Sequence, residues 1–147
     1  MTSFPLKIVT ADGLIYDGPA EEVIVRTITG DMAFLARHIN CVVPLGMGSA
    51  TIVIDGNKRH AACIGGMVSV VEGTVTLVPT TFEWAEDIDV ARAESARVRA
   101  EGIIHKDNAS AAEIKMGQAR LNRALVRKNT ASWVRGSNMI DINNLGG

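Results

Sequence analysis

The chain has 147 residues, of which 47% are hydrophobic and 21% are charged, as expected for a soluble globular domain with a short appendage. Its formal net charge of −1 gives no support for binding to nucleic acid. The longest apolar stretch, residues 41–54, is interrupted by Pro44, Gly46 and Gly48, so no membrane-spanning segment is expected.

Residues 1–84 alternate between polar and apolar side chains, which is the pattern of β-strands. Turn residues separate the strands, most clearly at Asp55-Gly56, because both residues tolerate a positive φ. The predicted strands cover residues 6–10, 22–28, 49–54, 60–64, 67–71 and 74–78. Short strands at this spacing predict an antiparallel β-sandwich over residues 1–84.

Near residue 85 the pattern changes to the spacing of α-helices. Asp87 or Asp89 is expected to cap a first helix, and Gly102 is expected to end it. Ser110 and Glu113 have the spacing of a capping box, in which each side chain accepts a hydrogen bond from the other residue's backbone N–H. This box predicts the start of a second helix.

The two predicted helices form an antiparallel hairpin over residues 85–132. Small side chains recur along the first helix at Ala93, Ala96 and Ala100, and such a stripe lets two helices approach closely. Neither helix has a broad apolar face, so we expect the hairpin to be weakly held and able to move. Residues 133–147 are rich in Gly and Asn and predict a flexible tail.

No arrangement of side chains indicates catalysis. His38, His60 and His105 lack metal-ligand spacing to one another, to Cys or to pairs of carboxylates. Gly65-Gly66 is not followed by the helix and Lys of a phosphate-binding loop. We therefore expect neither a metal site nor enzymatic activity from this chain alone.

Arginines on the two predicted helices suggest an anion site. Arg120, Arg123 and Arg127 share one face of the second helix, and Arg92 and Arg99 share one face of the first. In an antiparallel pair these faces can meet across a groove, where a nucleoside triphosphate would relieve the repulsion between guanidinium groups. Spacing alone leaves a solvated basic surface open as the alternative.

Four stretches resemble, in order and spacing, the epsilon subunit of bacterial F-type ATP synthases over residues 5–132. They are VTADGLIYDG (9–18), TGDMAFLARHINCVVPL (29–45), CIGGMVSVVEGTVTLV (63–78) and AEDIDVARA (85–93). The second stretch departs from the family pattern at Ala36 and Asn40, where the family has prolines.

The resemblance implies a non-catalytic regulatory subunit of a proton-translocating ATP synthase, at the cytoplasmic face of the bacterial membrane. It implies that the sandwich binds the gamma subunit and the c-ring, with Asp31 and His38 at the contact. We expect these two residues to lie in one loop. It implies that the hairpin inhibits ATP hydrolysis when it extends toward the catalytic beta subunits. Neither nucleic acid nor direct membrane insertion is expected.

The resemblance also implies a regulatory ATP site, although no cofactor is required. Carried over to the matching positions, the site comprises Glu83, Ile88, Asp89, Arg92, Ala93, Arg99, Arg123 and Arg127. Two of these positions also have a structural interpretation, with Asp89 as a helix cap and Ile88 as an apolar contact. The alternative functions are a free-standing nucleotide-binding sensor with a sandwich core and an isolated nucleotide hydrolase.

Overall fold

The structure, a computed structural model, describes the backbone of residues 2–145 and the side chains of residues 2–133. It divides into two compact units, Met1–Trp84 and Ala85–Gly147. The first unit is built from strands and the second from helices. The predicted fold class, a β-sandwich followed by a two-helix hairpin, is confirmed.

Ten strands form the first unit within the described backbone. They are β1 (Phe4–Thr10), β2 (Gly13–Ala20), β3 (Glu22–Thr27), β4 (Gly30–Phe34), β5 (Cys41–Pro44), β6 (Met47–Ile54), β7 (Asn57–Ile64), β8 (Met67–Val71), β9 (Thr74–Val78) and β10 (Thr81–Trp84). They pair in two five-stranded sheets, in the orders β2-β1-β9-β8-β5 and β10-β7-β6-β3-β4. Neighbouring strands are antiparallel, apart from the parallel pair β1 and β9.

The core of the sandwich is made largely by alternating side chains of the predicted strands, and Phe4, Ala20, Phe34 and Leu45 join it from outside them. Along β3, Val23, Val25 and Thr27 are buried. Phe34 and Leu77 are among the largest fully buried side chains of the unit. Each such apolar side chain contributes roughly 1.5–3 kcal/mol of burial free energy, so the unit has a core of its own.

The sequence patterns missed β2, β4, β5 and β10, and these four strands are the edges of the two sheets. An edge strand bonds to only one neighbour and therefore tolerates residues that a central strand excludes. Pro19 in β2 and Pro44 in β5 are such residues. The missed strands are thus the ones whose sequences carry the weakest strand signal.

The second unit begins with a single 3₁₀ turn, Ala85–Asp87, followed by α1 (Val90–Ile104) and α2 (Ala111–Leu145). The prediction that α1 ends at Gly102 is wrong, because the helix continues to Ile104. His105 forms the C-cap, and its N–H donates to the carbonyl oxygen of Glu101 at 3.0 Å.

Helix α2 begins at the predicted capping box. Glu113 donates its N–H to Ser110 Oγ at 3.1 Å, and Ser110 donates its N–H to Glu113 Oε1 at 3.3 Å. The helix extends beyond the predicted end at residue 132. Gly136 does not end it, because a Gly inside a helix costs only about 1 kcal/mol. The predicted flexible tail, residues 133–147, falls almost entirely outside the described side chains, and its flexibility stays a prediction.

Candidate functional site

The two helices of the hairpin meet along a seam of small residues. A Cβ atom added to the buried Gly117 of α2 would lie 3.0 Å from Cγ1 of Ile104 and 3.3 Å from the carbonyl oxygen of Ala100. Gly117 and Ala100 therefore mark where α1 and α2 touch. Residues seven apart lie on the same side of a helix, so the seam includes the buried Ala93, Ala124 and Ala131.

On one side of this seam, Glu94 of α1 connects the two helices. Its carboxylate accepts a hydrogen bond from Arg97 Nε at 3.0 Å and lies 2.5 Å from Nζ of Lys128 on α2. Arg97 also pairs with Glu101 at 2.8 Å. We call these four residues the ionic side. Its two negative and two positive charges compensate each other.

Hydrogen bonds from Arg97, which has the larger effect, and from Lys128 lower the pKa of Glu94 from 4.5 to about 2. A lowered carboxyl pKa means that the pairing stabilises the hairpin above pH 4.5 and is lost as the pH falls toward 2. We expect Glu94→Gln to lower hairpin stability at neutral pH and to match the parent near pH 2. Hydrogen exchange along α1 and α2 as a function of pH measures this. The Glu101→Gln variant is the control, because it leaves the contact between the helices in place.

The arginines of α1 in the predicted ATP site lie on the other side of the seam. Successive helical residues are rotated by about 100°. Arg92 and Arg99 therefore lie on the opposite flank of Ala93 from Glu94. Both side chains are exposed.

The arginines of α2 occupy the same side of the hairpin. Arg123 and Arg127 lie on the opposite flank of Ala124 from Lys128, by the same rotation of about 100° per residue. Arg123 is exposed and Arg127 is half-buried. Together with Arg92 and Arg99 they form what we call the arginine side. Within residues 2–133, none of these four guanidinium groups forms an ion pair.

The other four predicted ATP-site residues have separate positions. Asp89 is the N-cap of α1, since its Oδ1 accepts the N–H of Arg92 at 3.0 Å. Ile88 is buried and Ala93 lies in the seam. Glu83 is half-buried in β10 of the first unit. Of the eight predicted residues, the hairpin brings together the four arginines, and Asp89 supports the start of their first helix.

The structure separates Asp31 from His38, so the prediction that they share one loop is wrong. Asp31 is the second residue of β4, and His38 follows the opposite end of that strand. The reason is that residues 30–34 pair with β3 and hold the chain extended between them. Asp31 Oδ1 accepts a hydrogen bond from Nε of Arg26 on β3 at 2.6 Å. The ring of His38 lies 4.8 Å from that of Phe34.

Profiles of two families match consecutive parts of the chain. The ATP synthase, Delta/Epsilon chain, beta-sandwich domain matches residues 3–85, and the ATP synthase, Delta/Epsilon chain, long alpha-helix domain matches residues 86–132. The chain belongs to the ATP synthase delta/epsilon family.

Two bacterial ATP synthase epsilon chains resemble it over nearly their whole length. Identity is 33% over 131 residues with that of Shouchella clausii (strain KSM-K16), covering 89% of this chain and 96% of the relative. Identity is 37% over 131 residues with that of Caldanaerobacter subterraneus subsp. tengcongensis, covering 88% and 94%. The predicted resemblance to the epsilon subunit of F-type ATP synthase is confirmed.

Solved structures share the fold of this delta/epsilon chain. A chain of the Euglena gracilis mitochondrial ATP synthase (OSCP/F1/c-ring, rotational state 1) aligns with a TM-score of 0.73 and 23% identity, over 83% of this chain and 77% of that one. A chain of the Tetrahymena thermophila mitochondrial ATP synthase central stalk and c-ring aligns with a TM-score of 0.58 and 12% identity, over 86% and 95%. At these identities the likeness concerns the fold.

The register of the hairpin adds one residue to the candidate site of this delta/epsilon chain. The two inter-helix contacts described above place Arg92 nearly level with Arg127, and Arg99 nearly level with Arg120. Arg120 is exposed and lies on the arginine side by its rotation about α2. The sequence pattern had placed Arg120 in the basic stripe, but the family motif left it out of the ATP site.

The described residues contain neither a membrane-spanning helix nor a metal-binding cluster. Among them, no helix is long and apolar enough to cross a membrane. No group of three or more His, Cys, Asp or Glu side chains in that part of the chain is arranged to hold a metal ion. Burial raises the pKa of the Cys63 thiol to about 12, which keeps it protonated and unreactive at neutral pH.

Proposed function

We propose that this epsilon chain is a non-catalytic regulatory subunit of the central stalk of a proton-translocating ATP synthase, and that its hairpin is the regulatory arm. The observation that carries the proposal is the charge asymmetry of the hairpin. The ionic side is compensated, whereas the four arginines that define the arginine side have no ion-pair partners in the described chain. A hairpin of this kind has a place for an anion that only its closed form assembles.

ATP is the ligand we propose for the arginine side. Guanidinium groups bind phosphate oxygens in bidentate fashion, and the four arginines come from both helices. ATP bound between them therefore stabilises the closed hairpin and has less to bind when the helices separate. At a hundredfold excess of ATP over its Kd, this linkage contributes about 2.7 kcal/mol and moves an evenly balanced arm to about 99% closed.

Opening of the arm is the proposed inhibitory step. The seam buries small side chains, so apolar contact between α1 and α2 is limited, and the hairpin depends on charge interactions for part of its stability. When ATP falls, the arm opens, and its arginines become available to an acidic segment of the catalytic beta subunits. Contact of this kind would block rotation and with it ATP hydrolysis. Opposite charge supplies the attraction.

The sandwich is proposed to attach the chain to the gamma subunit and the c-ring, which places the subunit peripherally at the cytoplasmic face of the membrane. Asp31 and His38 lie toward opposite ends of β4, so they serve two separate contacts rather than one. The family match over both units favours such a subunit over a free-standing sensor or an isolated hydrolase.

We expect Asp31→Ala and His38→Ala each to weaken binding of the full chain to purified gamma and c-ring. Because the two side chains share no partner, their losses of binding free energy should add. The fold should survive, since the exposed Arg26–Asp31 pair contributes roughly 0–1 kcal/mol. Titration calorimetry with each variant measures the effect.

Asp17→Ala is the matched control for this experiment, because Asp17 is an exposed acid on β2, the sheet edge opposite to β5. Unchanged affinities in the double variant of Asp31 and His38 would remove both residues from the contact. Failure of the parent chain to bind gamma at all would overturn the assignment of the sandwich.

A further inference from the structure

The loop between β4 and β5, residues 35–40, crosses from one sheet to the other. It presents two exposed apolar side chains, Leu35 at 48% and Ile39 at 77% exposure. Arg37 within it has a positive φ of 67°. The loop thus leaves regular structure at a place where the chain must change sheets.

Asn40 connects this loop to the turn between β8 and β9. Its Oδ1 accepts the backbone N–H of Glu72 at 2.9 Å, and its Nδ2 donates to Glu72 Oε1 at 3.3 Å. A backbone N–H can only donate, so it selects Oδ1 of the amide and leaves Nδ2 for the carboxylate. Both the oxygen and the nitrogen of the Asn40 side-chain amide therefore bond to one residue, Glu72.

The backbone conformation of Glu72 explains why the hydrogen bond from its N–H to Asn40 is stabilising. Glu72 and Gly73 both have positive φ, 49° and 81°, as a two-residue hairpin turn of this type requires. Glutamate adopts that conformation less readily than Gly or Asn. An acceptor for its N–H favours the turn, and Asn40 supplies it.

The position of Asn40 lets this pair of bonds control the loop. Asn40 directly precedes β5, and the next residue, Cys41, is the partner of Val70 in the ladder between β5 and β8. The two hydrogen bonds between Asn40 and Glu72 therefore continue the pairing of β5 and β8 by one residue, through side chains, and fix Asn40, the last residue of the loop. Proline would restrict the same position through its own φ.

We propose that Asn40 is the positioning residue of the β4–β5 loop, and that through Glu72 it holds the loop ready for its protein partner. Resting on the proposed function, this partner is the gamma subunit. A loop already fixed in the free chain loses less conformational entropy on binding. A side-chain clamp thus restricts a position that proline would restrict through its own φ.

The test compares Asn40→Ala with the parent in two measurements on the full chain. In the free chain, hydrogen exchange at the Glu72 amide should accelerate about fivefold to tenfold, the scale of one lost hydrogen bond. Affinity for purified gamma, by calorimetry, should fall by a similar factor. Asn57→Ala, which removes an Asn from the β6–β7 hairpin, should change neither quantity.

A double variant, Asn40→Asp with Glu72→Gln, exchanges the carboxylate and the amide. The backbone N–H of residue 72 still donates to the side chain of residue 40, and the bond between the two side chains forms with its direction reversed. It should recover both amide protection and affinity for gamma. If Asn40→Ala accelerates exchange but leaves affinity unchanged, or if the double variant regains protection without regaining affinity, the positioning role is overturned. If the parent itself fails to bind gamma, the proposed function fails instead.

Discussion

Gly66→Ala should cost the sandwich roughly 2–5 kcal/mol, which is a large part of the stability of a domain of this size. Gly66 has a φ of +90° in the connection from β7 to β8, where the chain passes from one sheet to the other. An added Cβ would lie 2.1 Å from the carbonyl oxygen of Val78 and 2.7 Å from Cα of Pro79. Both atoms belong to the backbone, so relief requires movement of the chain.

Two costs combine in this estimate. A left-handed conformation costs an L-residue about 1–2 kcal/mol, and overpacking adds about 1–3 kcal/mol. The melting temperature should fall by roughly 10 °C or more. Gly56→Ala is the matched control, because φ is +77° but no atom lies within 4 Å of the added Cβ. It should lose only the conformational cost of about 1–2 kcal/mol. Equal losses in the two variants would contradict the steric account.

Arg92→Ala should raise the Kd for ATP about tenfold to a hundredfold, because a hydrogen bond between charged groups contributes about 1.5–3 kcal/mol. Arg92 lies at the start of α1 on the arginine side, nearly level with Arg127. The rise in melting temperature that ATP induces in the parent should shrink accordingly. Titration calorimetry and thermal unfolding of the isolated chain with ATP measure both effects.

Lys115→Ala is the control for general loss of positive charge. Lys115 is an exposed cation of α2 that lies away from the seam and from the arginine side. It should leave the Kd for ATP nearly unchanged. If Lys115→Ala and Arg92→Ala weaken ATP equally, the binding is non-specific attraction. If the parent shows no heat of binding at millimolar ATP, Asp89 and the arginines are structural only.

Alternation of polar and apolar residues was enough to place the interior strands. In β3 the buried side chains repeat at every second residue, as they must when one face of a strand packs on the core and the other faces outward. β5 has no comparable signal, since it is four residues long, lies at a sheet edge and ends in Pro44. The position of β5 is set by its pairing with β8. The two strands are far apart along the chain, so their pairing leaves no local pattern in the sequence.

The arginine side could be predicted because helical rotation depends on spacing within each helix. The ionic side was missed because it requires the register between helices. Glu94 and Lys128 are 34 positions apart, and their contact follows from the close approach of Ala100 and Gly117. The hydrogen bonds between Asn40 and Glu72 could not be predicted either, because they also join residues that are distant along the chain.

The most direct test of the regulatory account is ATP hydrolysis by the assembled synthase, measured from micromolar to millimolar ATP. One complex contains the full chain, and the other contains a chain that ends at Glu86 and so lacks the hairpin. If the hairpin is the regulatory arm, the full chain suppresses hydrolysis at low ATP and releases it at high ATP, whereas the shortened chain permits hydrolysis throughout. Equal rates in the two complexes at every ATP concentration would contradict it.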